Sequence, residues 1–128
     1  MAEPVTDQNP TGVGYPPRQG MGGTVTQITS RTTGVTLHTM AGTITTDTSS
    51  LAAEATADFT VTNNKVRATD IVVVAEQSGS NGGGTIISVS TVANGSFAIR
   101  IHNGNVAAGG AETGAILINF AVIKGANT

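Results

Sequence analysis

The stretch TIISVSTVANGSFAIRIH, Thr85 to His102, decides the fold class. Two β-favouring runs flank Ala93-Asn94-Gly95, and Asn-Gly between such runs is a strong local signal for a hairpin. Two registers compete. A two-residue Asn94-Gly95 turn pairs Val92 with Phe97 but sets Ser90 against Ile99 and Ser88 against Ile101, mixing polar and apolar side chains on one face. A three-residue loop with Gly95 in the left-handed conformation pairs Thr91 with Phe97, Val89 with Ile99 and Ile87 with Ile101. A one-residue slip turns a whole strand over, so hydrophobic matching is the stronger constraint and selects the three-residue loop. Arg100 and His102 then occupy the opposite face. Asn94-Gly95-Ser96 also matches a glycosylation sequon, but hairpin chemistry accounts for it better.

Outward from this hairpin, segments rich in Thr, Val and Ile recur about every ten residues, broken by Gly, Asn and Ser. Strands are predicted at 24–29, 35–38, 43–45, 57–63, 70–76, 85–92, 96–102 and 115–124. The expected fold is all-β: about eight short strands in an antiparallel, jelly-roll-like β-sandwich over residues 24–128. Leu51-Ala52-Ala53-Glu54-Ala55 has helical propensity for one or two turns, which Thr56 and the next strand cut short.

Two of these strands are apolar on both sides. In 70–76 both Ile71/Val73 and Val72/Val74 need cover, and in 115–124 Ile116, Ile118, Phe120 and Val122 oppose Leu117, Ala121 and Ile123. An antiparallel sheet commonly leaves one face wet. A subunit interface is the expected cover, with Val72, Val74, Leu117 and Ile123 as candidate interface residues; cover by loops or the N-terminal arm within one copy is the other reading. With these strands read as central, Val73→Asp is expected to unfold the domain by burying an unpaired charge.

Composition points the same way. Of 128 residues, 21 are Thr and 17 Gly, only 14 are charged, and the aromatics are Tyr15, Phe59, Phe97 and Phe120. The core must therefore be thin and aliphatic, and a domain of this size buries only about two-thirds of its unfolded surface. Association is a natural source of the missing stability.

All four prolines, at 4, 10, 16 and 17, and five glycines fall within residues 1–23, which read as an extended arm. Tyr15-Pro16-Pro17 is restricted to extended conformations, and the arm is expected to order only on a partner. Stretched in polyproline II form it reaches roughly 70 Å. A disordered tail and a tether to a neighbouring subunit or shell both fit; for the tether, the contact candidates are Val13, Tyr15, Pro16, Pro17 and Arg18.

Several classes of chemistry find no support. The absence of cysteine removes disulfides, thiolate metal sites and cysteine nucleophiles. A net charge of −2 disfavours nucleic acid and an anionic membrane as partners. The longest apolar run, 115–123, is about half a membrane span and contains Asn119. Met1-Ala2-Glu3-Pro4 has neither the basic nor the apolar region of a cleaved secretory signal. His38 and His102 lack partners at metal-ligand spacing, and Asp47, Glu54, Asp58, Asp70, Glu76 and Glu112 contain no pair marked for glycoside hydrolysis. The glycine-rich 78–84 lacks the Gly-Lys-Ser/Thr ending of a phosphate loop and reads as a flexible surface hairpin, and 103–114 reads similarly. No catalytic residue, metal or cofactor is expected, and no enzyme.

A set of motifs does resemble a known group. Gly23-Thr24-Val25-Thr26-Gln27, Ser30 to Leu37, Gly42-Thr43-Ile44-Thr45, Thr69 to Val74, Gly95-Ser96-Phe97 and Asn119 to Gly125 resemble a small β module of tailed-bacteriophage virion proteins. The resemblance covers about residues 21–125 and is to the modules of head decoration (cement) proteins and, in longer chains, of fibres. It implies a homotrimer on the capsid surface, bound to the major capsid protein, without enzymatic activity; it transfers no individual binding residue. A trimeric tail-fibre tip or tail adaptor is the alternative within virion proteins. A carbohydrate-binding module is the alternative outside them, disfavoured by the lack of tryptophan.

Overall fold

The computed structural model describes residues 22–125; Val13, Tyr15, Pro16, Pro17 and Arg18 lie outside the described residues. Eight strands, and no helix, occur among the described residues: β1 (Thr24–Thr26), β2 (Val35–Thr36), β3 (Ala41–Thr45), β4 (Thr56–Thr62), β5 (Ile71–Ser78), β6 (Thr85–Ala93), β7 (Ser96–Asn103) and β8 (Leu117–Ile123). They form two four-stranded sheets, ordered β1-β3-β8-β5 (sheet A) and β2-β4-β7-β6 (sheet B). The ladders are antiparallel except at one edge of each sheet, where β1 runs parallel to β3 and β2 parallel to β4. β5 is thus an edge strand, not a central one.

Period-two patterning builds the sandwich. In β4, Ala57, Phe59 and Val61 are buried while Thr56, Asp58, Thr60 and Thr62 are exposed. Across the sandwich Ile44, Ile118, Phe120 and Val122 of sheet A meet Phe59, Val61, Phe97, Ile99 and Ile101 of sheet B. Phe97 and Phe120 bridge the layers with ring centroids 5.3 Å apart, tilted by 56°.

The β6–β7 hairpin uses both registers. Asn94-Gly95 makes the two-residue turn, with Ala93 opposite Ser96 and Val92 opposite Phe97, which corrects the three-residue loop. A bulge at Ser90 then absorbs one residue, and beyond it Val89 faces Ile99 and Ile87 faces Ile101. The extra residue lets Val92, Val89 and Ile87 all point inward, which neither uninterrupted register allows. Gly95 has the expected left-handed φ, +85°; its N–H donates to the Val66 carbonyl and its carbonyl accepts from Asn63 N–H. Segment 51–55 is not helical. Leu51 bridges to Glu112, and Glu54 takes a φ of +64° while its N–H bonds the Asn103 carbonyl.

Candidate functional site

The two outer faces of the sandwich differ in kind. On sheet B, β4 and β7 present Thr56, Asp58, Thr60 and Thr62 beside His102, Arg100, Ala98 and Ser96. Arg100 grips the Asp58 carboxylate through Nε and Nη2 at 2.8 and 2.9 Å, and Thr56 Oγ1 pairs with His102 Nδ1 at 2.8 Å. The Arg100 guanidinium holds the Asp58 carboxyl below the usual range despite some desolvation. Along β4 and β7 this face is polar and internally paired; on β6, Ile86 beside His102 is exposed.

Sheet A is polar at β1 and β3, where Thr24, Thr26, Thr43 and Thr45 align and Thr43 Oγ1 donates to Asn119 Oδ1. Toward β5 it turns apolar. Ala41, Ala121 and Val73 lie in one row across three strands, and Ile123 and Ile71 in the next. Ile71 is 57% exposed, and Val73 and Ile123 are each 48% exposed. Covering three half-exposed aliphatic side chains contributes on the order of 2–4 kcal/mol per copy. β5 is also an edge strand of eight residues without proline or a basic residue, as is β6 of sheet B, with nine residues and no charge, whereas the edges opposite them, β1 and β2, have three and two residues. Long edge strands without proline or lysine invite pairing with another chain. We take this face and edge as the candidate functional site.

Among the candidate interface residues, Ile123 lies on this exposed face, and Leu117 is half-buried six residues before it on the same side. Val72 and Val74 point the other way and pack against the core; the outward residues of β5 are Ile71 and Val73. The sequence pattern showed that both sides of the strand were apolar but contained nothing to say which side met sheet B. The expectation that Val73→Asp unfolds the domain is therefore corrected: Val73 lies outside the core.

The far end of the sandwich holds a buried polar cluster that sequence reasoning missed. Glu112 is fully buried, and its carboxylate accepts from Asn81 N–H at 2.8 Å, Gly82 N–H at 2.8 Å, Gly114 N–H at 2.9 Å and the Thr85 hydroxyl. Arg31, also buried, donates to Thr46 Oγ1, to the Glu112 and Gly114 carbonyls and to the Ser49 carbonyl. Buried Asn103 donates to the Leu51 and Gly110 carbonyls at 3.0 and 2.8 Å. The glycines allow this close packing: a Cβ at Gly114 would sit 2.0 Å from the Gly79 carbonyl oxygen. Both glycine-rich loops are thus clamped to the sandwich.

Asp70 accepts from Lys124, Gly125 and Arg67, Asp47 from Ser49 and Glu76 from Ser80, so these carboxylates serve separate donors. Among the described residues no group of three His, Asp or Glu could hold a metal ion. His38 sits on the surface, its Nδ1 accepting from Asn64 N–H at 2.9 Å.

These carboxylates set an acid limit on stability. Burial pushes Glu112 upward, but the Thr85 hydroxyl and three backbone N–H groups outweigh it and hold it below its ordinary value. Asp70 is likewise raised by burial and lowered further by Lys124, Gly125 and Arg67. A folded-state value below the unfolded one stabilises above the unfolded pKa, and the contribution is lost as pH falls through the folded one. Thermal melts are expected to be flat near neutrality and to fall below about pH 4. A melting temperature unchanged down to about pH 2 would contradict this.

Compared with family models, with curated proteins and with solved structures, the chain matches none.

Proposed function

We propose that this chain is a structural protein of a tailed-phage particle, a capsid decoration protein without enzymatic activity or cofactor. It associates with copies of itself, as a homotrimer, and binds the outer surface of the major-capsid-protein shell. The observation that carries this reading is the apolar face of Ile71, Val73 and Ile123 beside the long β5 edge; the outer face of sheet B is polar along β4 and β7 and exposes a single large aliphatic, Ile86. Such a surface is suited to a building block. The resemblance in the motifs supplies the setting.

Multivalency is the mechanism. Several copies held together present several weak contacts to one shell, and the second contact forms at high effective concentration. A carbohydrate-binding role has less support: Phe59, Phe97 and Phe120 are all in the core, so the described surface offers no aromatic ring for sugar stacking.

Purified protein mixed with expanded shells that lack it is expected to co-sediment with them. Deleting residues 2–20 is expected to leave the assembly folded while weakening shell binding. Absence of co-sedimentation by the intact chain overturns the reading.

A further inference from the structure

A net charge of −2 conceals a molecule with two unlike ends. Lys65, Arg67 and Lys124 cluster where β5 begins and β8 ends: Lys124 Nζ donates to the Lys65 carbonyl at 2.9 Å and to Asp70 Oδ2 at 2.6 Å, and Arg67 N–H donates to the same Asp70 oxygen. Asp70 is the one carboxylate there among the described residues, and it is buried and already paired. The opposite end carries Asp47, Glu54, Glu76 and Glu112, with Arg31 buried among them. Asp58 and Arg100 neutralise each other on sheet B. The seven residues of β8 separate the poles by about 20 Å, more than the roughly 8 Å screening length at physiological salt, so each pole acts on its surroundings independently.

A second observation marks the same end. Thr24 is in register with Thr43 on the parallel β1–β3 pair, and Gly23 carbonyl accepts from Thr43 N–H at 3.0 Å. Gly22 therefore lies abreast of Ala41, whose partner Ala121 is two residues from Ile123. The described residues therefore begin at the cationic pole.

We propose that this cationic pole is the docking footprint on a carboxylate-rich protein surface, with the carboxylate pole turned to solvent. The inference rests on the shell-binding reading and adds to it which end makes contact and what chemistry it meets. Three cations set against the single carboxylate of Asp70 suit an acidic protein surface; a nucleic-acid backbone would demand a more extended basic stripe.

The chain's only two lysines, Lys65 and Lys124, both lie at this pole, so amine chemistry reports on it directly. In the co-sedimentation assay with expanded shells, Lys65→Glu/Arg67→Glu is expected to bind about tenfold more weakly or worse, and wild-type binding to weaken steeply with added salt. Glu54→Lys, at the far pole, is expected to bind like wild type. In a brief acetylation of wild-type protein read by mass spectrometry, Lys65 and Lys124 are expected to be protected on shells relative to free protein. Wild-type binding with undiminished binding by the double variant and equal lysine labelling, bound and free, overturns the footprint and leaves shell binding standing. Wild-type protein that does not sediment with shells overturns both. Circular dichroism confirms that the variants fold, and the labelling arm needs no variant.

Discussion

Glu112→Ala is expected to leave the domain largely unfolded at room temperature. The substitution strands three backbone N–H groups and the Thr85 hydroxyl that now converge on one carboxylate. Each buried donor left without a partner costs about 1–3 kcal/mol; the Gly82 and Gly114 N–H groups are buried and the Asn81 and Thr85 donors part-buried, so together they take much of the stability of a small domain, about 5–15 kcal/mol. Glu112→Gln keeps the shape but turns an amide NH2 toward donors, and is expected to fall between wild type and Ala. Melting followed by circular dichroism decides the matter: a drop of roughly 20 °C or more is expected for Ala, and a shift of only a few degrees would mean that solvent replaces the carboxylate at little cost.

Val73→Asp is expected to do the opposite, abolishing self-association while the fold survives. Val73 is half-exposed and paired with Ala121 at the middle of the apolar rows. In a single copy the new carboxylate reaches water, and the cost is confined to strand propensity, up to about 1 kcal/mol. In an assembly it is buried without a partner, costing several kcal/mol by the balance that governs buried ions. Light scattering at micromolar concentration is expected to show an oligomer for wild type and a single copy for the variant, with the same β-type circular dichroism. A wild-type chain that is a single copy, or a variant that still associates, would remove the apolar face as the interface. Ile118→Asp is the contrasting control: Ile118 has no exposed surface, and that variant is expected to unfold.

Much of the fold was legible because strand identity is a local property. The predicted strands at 57–63, 85–92 and 96–102 coincide within a residue at each end with β4, β6 and β7, since alternation of Thr or Ser with Val, Ile or Phe has no other economical reading. The resemblance and its functional implications add a setting but stand apart from this geometry.

The errors share a cause. β5 looked central because its residues are apolar on both sides; whether a partner strand lies on one side or two depends on the chain's path, which its own composition does not encode. The Ser90 bulge escaped because it satisfies two sequence-legible pairings at once, and only the assembled sheet shows that both must be met. Glu112 was visible as one carboxylate among several, but its donors lie about 30 residues away at Asn81 and Gly82.

The amino-acid order by itself determined the strands, the hairpin at Asn94-Gly95, the thin aliphatic core and the excess of apolar β surface, because alternation and turn chemistry act over a few neighbouring residues. Only the tertiary structure decided that Ile71 and Val73 rather than Val72 and Val74 face outward, that β5 is an edge, that Glu112 clamps two loops, and that cations and carboxylates separate to opposite poles. Those features arise when segments far apart in the chain are brought side by side, and what a side chain meets there depends on the packing of the whole sandwich.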